Sequence, residues 1–189
     1  MAKQTWKPGN MVYPLPAVMV SAGNSNGETN IITIAWTGTI CTNPAMLYIS
    51  VRPERYSYPI LKETGEFVIN LTTRELTYAT DYCGVKSGRD VDKFKECNLT
   101  KEPAVNVNVP MIKESPVNIE CKVERIDELG SHHMFVAKVL TVHADEKYMD
   151  PETEAFDLAK ALPISYSHGG YYTQGEKIGG FGWTVKKKK

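Results

Sequence analysis

Charge of one sign is the first thing this sequence lacks: Lys and Arg number 22, and Asp and Glu also number 22. That balance leaves no global field to recruit nucleic acid or an anionic membrane. Lys186–Lys189 is a local exception and is read as part of a flexible, solvated basic tail over residues 184–189. Cysteine is scarce, with four residues at positions 41, 83, 97 and 121. None forms C-x-x-C or clusters with histidine. This argues against a zinc knuckle and a disulfide framework, and for a reducing compartment. No run approaches the ~20 apolar residues of a membrane span. The opening MAKQTWKPGN has no apolar core of signal-peptide length, so the expectation is a cytoplasmic protein. HExxH, G-x-S-x-G and a strand-following G-x-G-x-x-G are missing as well, which leaves zinc-protease, hydrolase and Rossmann chemistry without a foothold.

What is present is ordinary globular material, 42% apolar and 23% charged over 189 residues. A chain of this length forms one domain that buries about 70% of its unfolded surface. Its apolar runs are short and β-rich: 17–22, 31–36, 46–51, 66–71, 117–126 and 133–144, each bounded by turn residues. Val117, Ile119, Cys121 and Val123 share one face of a strand. Met134, Val136, Leu140 and Val142 share a face of the next, with Lys138 as the exception. ELGSHH between them reads as a hairpin loop with Gly130 at the tight position. Many short strands at this spacing suggest a closed or nearly closed barrel. Helices are few. Ser57 is an N-cap candidate for YPILKET, which Gly65 ends. Thr72 and Glu75 fit a capping box opening LTYATDYC, with Gly84 as its stop, and a third short helix starts near Asp90.

Two polar turns carry possible chemistry. Arg52 and Arg55 precede the helix at Ser57, where unpaired amides and guanidinium forks suit an anion. Two arginines simply standing in water is the alternative. In SGRDVDKF, Ser87 and Gly88 make a hydroxyl-bearing open turn, and Arg89 and Lys93 add positive charge. Trp36 ends an apolar run beside Thr37, Gly38 and Thr39, a break that would suit a flat polar heterocycle; core packing of the indole is the other reading. His132 and His133 are adjacent and on a strand would point to opposite faces, so they cannot clamp one metal.

Three stretches, TNIITIAWTGTICTNPAMLYISVRPERYSYPILKETGEFVINLT, DYCGVKSGRDVDKF and LPISYSHGGYYTQGEKIGGFG, together with SHHMFVAKV, resemble the flavin-reductase-like FMN-binding proteins, and within them the flavoredoxin branch. The resemblance implies a mainly β fold, an FMN-binding split β-barrel of Greek-key type with a few short helices, spanning residues 1–189 as a single domain. It implies a homodimer binding FMN non-covalently near the subunit interface. Carried over by position, Asn30, Trp36, Ser57, Lys93 and His132 would surround the flavin, with Ser57 standing where the family more often has Thr. The backbone of Ala35, Trp36, Thr37, Gly38 and Thr39 would line the ring. Ser50, Val51, Arg52 and Arg55 would hold the phosphate region, with Ser87 on a second phosphate-side turn. Tyr166 and the loop His168-Gly169-Gly170 would approach the ring.

The implied activity is that of an oxidoreductase passing electrons from NAD(P)H through FMN to a flavin, ferric iron or a protein acceptor. The alternative is an electron carrier between protein partners that does not use NAD(P)H. A haem module with His132 or His168 as axial ligand is the third possibility. Redox chemistry would belong to the cofactor, so no catalytic residue is assigned. One set of phosphate-side groups and no adenosine fingerprint favour FMN over FAD. The aromatic, glycine-broken stretch LPISYSHGGYYTQGEKIGGFGW is expected at a subunit interface, a self-packed lid being the alternative.

Overall fold

The computed structural model describes residues 1–185. Its elements in chain order are β1 (Leu15–Pro16), β2 (Val18–Gly23), β3 (Thr29–Ile34), β4 (Thr37–Cys41), β5 (Met46–Val51), α1 (Ser57–Thr64), β6 (Glu66–Leu71), α2 (Thr77–Val85), α3 (Lys93–Glu96), β7 (Lys101–Glu102), β8 (Met111–Ile112), β9 (Val117–Glu128), β10 (His133–Ala144), β11 (Ile164–Ser167) and β12 (Gly170–Thr173). Seven strands form one sheet in the order β3-β2-β6-β9-β10-β5-β4, and every pairing in it is antiparallel. β1, β11 and β12 form a small second sheet.

The large sheet closes on itself because of two residues. β3 and β4 are its opposite edges, yet only Ala35 and Trp36 separate them. Three residue steps reach about 10 Å at most, so the edges must curl together. The result is a mainly β split barrel with a seam at Ala35–Trp36. WTGT was expected to be a broken loop; instead Thr37 to Cys41 rebuild at once as edge strand β4, in register with β5. Two threonines are good strand formers, and Gly38 lies flat beside the ring of Tyr48.

Barrel-facing side chains include Val20, Ile32, Ile49, Phe67, Ile69, Cys121 and Phe135, and α1 adds Tyr58, Ile60 and Leu61 to them. The helices α2 and α3 cover the outside of β2 and β3 through Met19, Ile31, Ala79, Cys83 and Phe94. This double cover explains why all six residues of β2 are buried. On β9, Ile119, Cys121 and Val123 do face the barrel. On β10 the expected face is corrected. Phe135, Ala137 and Val139 face the core, whereas Leu140 and Val142 are 40% and 56% exposed. Both sets alternate, and a register shift between Val139 and Thr141 further displaces Leu140.

The caps also differ from expectation. Ser57 is the first residue of α1 and does not cap it; the cap position is Tyr56, in helical conformation. Gly65 does end the helix with φ 62°, its amide donating to Leu61 O. No Thr72–Glu75 box forms: the Thr72 hydroxyl donates to Ala17 O, and Thr73 Oγ1 accepts from Leu76 N at 3.4 Å. Gly84 lies within α2, close to Thr33 of β3, and the helix ends at Lys86. Asp92 caps α3, accepting from Phe94 N and Lys95 N. Of the expected basic tail, residues 186–189 lie outside the described residues, and Thr184 and Val185 belong to a single 3-10 turn.

Candidate functional site

Where β3, the entry to α1 and the α2–α3 connection meet, they enclose a cationic cleft of ≈ 310 Å³. Its floor is Lys93, 4% exposed, whose Nζ donates to Ile31 O (2.6 Å) and Cys83 O (2.8 Å). An ammonium has three donors, so one remains for the cleft. Burial pulls Lys93 down to about 8, and the nearby Arg55 charge adds to this. The charge of an anion in the cleft would oppose this downward shift. Beside Lys93, Asn30 Nδ2 donates to Ser57 Oγ at 2.8 Å, which leaves the Ser57 hydroxyl proton free to donate.

The rim is basic, and its contacts are longer. Arg52 and Arg55 are exposed; Arg52 meets Glu54 at 3.4 Å, and Arg55 reaches Gly84 O at 3.5 Å. Arg89 lies over the Tyr56 ring at 5.5 Å. The amides expected at the helix start are partly used already, since Arg55 N donates to Arg52 O and Tyr58 N to Arg55 O. Side chains therefore carry most of the anion-binding capacity here. Opposite them, Ser87 Oγ accepts from Arg89 N (3.2 Å), and Gly88 presses against Asn30 and Tyr56. A Cβ on Gly88 would stand 2.6 Å from Tyr56 Cδ1, so this close approach admits only glycine.

A second, aromatic cleft of ≈ 480 Å³ adjoins the first and shares Ile32, Arg52, Arg55 and Gly84 with it. Trp36 at the seam and His132 in the β9–β10 loop stack with 5° between ring planes and centroids 6.1 Å apart. Burial, then the Arg52 charge, pulls His132 below the usual histidine range. The opposite wall is Tyr166 and Tyr171 of the small sheet, with Tyr171 donating to Asp81 Oδ1 at 3.2 Å. Burial, then Asp81, pushes the Tyr171 phenol up to about 12.

The structure thus gathers Asn30, Arg52, Arg55, Ser57, Ser87 and Lys93 around one cleft. Ala35, Trp36, Ser50, Val51 and His132 line the other. It does not bring Thr37, Gly38 and Thr39 to either cleft. The Thr37 hydroxyl donates inward to Tyr48 O (2.6 Å), Gly38 faces the Tyr48 ring, and Thr39 is exposed. His168 packs against Tyr13 with centroids 4.4 Å apart, outside both linings. His133 turns away from His132 and hydrogen-bonds the Tyr58 hydroxyl at 2.7 Å. Sequence reasoning missed Asp81 and Tyr56. The spacing of Asp81, Gly84 and Val85, which share one face of α2, was the available signal.

Comparison with known proteins agrees with this architecture. The flavin reductase like domain family matches residues 10–175, and the chain belongs to that family. A protein of Archaeoglobus fulgidus is 32% identical over 139 residues, which is 74% of this chain and 77% of that one. Flavoredoxin of Desulfovibrio vulgaris (Miyazaki F) superposes with a TM-score of 0.90 at 28% identity, covering 98% of this chain and 100% of its own. Flavoredoxin from Methanosarcina acetivorans gives 0.87 at 26% identity, covering 98% and 100%. The FMN-binding protein from Thermus thermophilus shares the fold, with a TM-score of 0.76 at 20% identity over 95% of this chain and 98% of that one.

Proposed function

We propose that the protein binds FMN, with the phosphate monoester in the cationic cleft and the ring system toward the aromatic cleft. On this reading it is an oxidoreductase that passes electrons from NAD(P)H to a flavin, ferric iron or a protein acceptor. The observation that carries the reading is Lys93, a buried ammonium with two donors on carbonyls and the third left over in a cleft rimmed by arginine. Such a cation is stabilised by a terminal phosphate dianion, which FMN offers and FAD does not. When bound, the flavin supplies hydride and electron chemistry. The chain's own part is to fix its phosphate with Lys93, Ser57, Arg55 and Arg52, and to leave a cleft beside Trp36 and His132 for the other reactant.

Equilibrium titration with both flavins tests the cofactor; tighter FAD than FMN would overturn it. Likeness to two flavoredoxins supports a second reading, an electron carrier without direct NAD(P)H use. Steady-state NAD(P)H oxidation by the FMN-loaded protein separates the two, and no oxidation with either nucleotide leaves the carrier. We also propose a homodimer. Its support is apolar surface at both ends of the chain: Trp6 is 70% exposed, Ile178 91% and Phe181 108%. Sizing with light scattering checks it; a mass near one 21.1 kDa chain with FMN bound would exclude it.

A further inference from the structure

Lys93 is a cation when protonated and a nucleophile when neutral, and its surroundings set where the lone pair lies. Its Nζ meets two carbonyl oxygens, Ile31 O at 2.6 Å and Cys83 O at 2.8 Å. A neutral amine has two N–H donors. Both stay on those carbonyls, and the remaining tetrahedral position, on the side of the cleft that Lys93 lines, carries the lone pair. Burial holds this amine at about 8, so a usable share of it is neutral near pH 8. The same cavity of ≈ 310 Å³ is lined by Arg52, Arg55 and Ser57. A phosphate-binding set and a nucleophile therefore share one small space, and FMN binding uses Lys93 only as a cation.

We propose that Lys93 is an acylation site whose acyl donor is a small acyl phosphate bound in the cationic cleft. The donor's phosphate takes the place that Arg52, Arg55 and the Ser57 hydroxyl provide. One bridging oxygen separates phosphorus from the acyl carbon, so both ends fit a cavity of this size. The phosphate is also the leaving group, and the guanidinium groups that hold it stabilise the charge it gains on departure. The Nζ lone pair attacks the acyl carbon, and the carbon–oxygen bond to phosphate breaks with its electron pair staying on the phosphate. One Nζ proton passes to that phosphate, so an Nζ amide and inorganic phosphate result, with no change of oxidation state. Acylation removes the ammonium charge and leaves a single N–H on Nζ, so one of the two carbonyls loses its donor. Anion binding in the cleft is therefore weaker once Lys93 is acylated, and an anion already in the cleft excludes the donor. FMN enters only as one such competitor, through the function proposed above.

The test incubates the free protein with acetyl phosphate and follows acetylation of each lysine by peptide mass spectrometry. Lys93 is expected to be acetylated on the order of tenfold faster than Lys95 and Lys113, which are exposed and outside the cleft. Excess inorganic phosphate should slow Lys93 and leave the other two unchanged. Arg55→Ala should likewise slow Lys93 alone. Acetic anhydride, which carries no phosphate, should lose the preference for Lys93. Acetylation of Lys93 no faster than Lys95, no protection by inorganic phosphate, or the same preference with acetic anhydride would each overturn the proposal. FMN separates this site from the function proposed above. Protection by both inorganic phosphate and FMN supports both, whereas protection by phosphate alone leaves the acylation site standing and overturns the placement of FMN.

Discussion

The groups at the heart of the cationic cleft are almost wholly withdrawn from water: Ser57 is 1% exposed, Asn30 and Lys93 4%. Those of the aromatic cleft are half in solvent, and two of its walls come from distant parts of the chain, Trp36 at the seam and Tyr166 and Tyr171 near the C-terminus. Buried polar groups must be bonded, so the first cleft is held in one arrangement. Aromatic faces tolerate many partners, so the second can accept varied reactants. In the function proposed above, this difference separates two tasks: one end of the site fixes the ligand, and the other meets whatever exchanges electrons with it.

The largest expected effect comes from removing the buried cation. Lys93→Met should weaken FMN binding by about 1.5–3 kcal/mol, roughly tenfold to a hundredfold. It also leaves the Ile31 and Cys83 carbonyls without a partner, so the denaturation midpoint should fall as well. Affinity within threefold of the parent protein, by fluorescence titration, would break the comparison. Gly88→Ala should cost about tenfold in FMN affinity, because the new methyl group meets Asn30 and Tyr56 and disturbs the Asn30–Ser57 bond.

Alkali provides a sharper cut. Lys93 titrates near 8 in the folded protein, below its ordinary value of 10.5, so the folded state sheds a proton that the unfolded chain keeps. Lys93 by itself should therefore add up to ~1.4 kcal/mol to the stability of the free protein between about pH 8 and 9, read as the difference in pH dependence between the parent protein and Lys93→Met. The thiols oppose this from about pH 8 upward, since they ionise in the unfolded chain while burial holds Cys83 and Cys121 protonated in the fold; the comparison with Lys93→Met removes their contribution. FMN affinity should move the opposite way and fall from pH 8 to 9, as the ammonium is lost. A fall in FMN affinity from pH 8 to 9 that persists unchanged in Lys93→Met, followed by titration at each pH, would remove Lys93 from the phosphate.

Smaller effects belong to the rim and the aromatic wall. Arg55→Ala should lower FMN affinity only severalfold, since its guanidinium is exposed and screened. Tyr171→Phe removes one exposed hydrogen bond to Asp81 and should leave FMN affinity within about twofold, at a cost of about 0.5–1.5 kcal/mol. That loss should show as faster amide exchange in β11 and β12. An equal loss of FMN affinity in Tyr171→Phe and Lys93→Met would erase the distinction between the clefts.

Strands were legible where they are covered on one or both faces in a simple way. Residues 46–51, 66–71 and 133–144 run as their composition indicates. β4 was hidden because its glycine and threonines read equally as a turn, and only pairing with β5 decides between them. The face of β10 was not legible either: Phe135-Ala137-Val139 and Met134-Val136 alternate equally well, and the first set packs in the barrel core while Val136 is buried on the other side. Charged members of the cationic cleft were recognisable from residue type and turn context. What no spacing rule contains is depth. Lys93 reads as a surface lysine of a short helix until β3 and α2 close over it.

Ala35 and Trp36, the covalent stitch between the two sheet edges, give the molecule an optical gauge. Trp36 O accepts from Ser50 N at 2.9 Å, so the indole's own backbone is pinned where the barrel shuts. Trp6 and Trp183 are 70% and 62% exposed, whereas Trp36 is half-buried. Opening of the barrel at this stitch is therefore expected to shift Trp36 emission, which the pair of substitutions Trp6→Phe and Trp183→Phe would isolate.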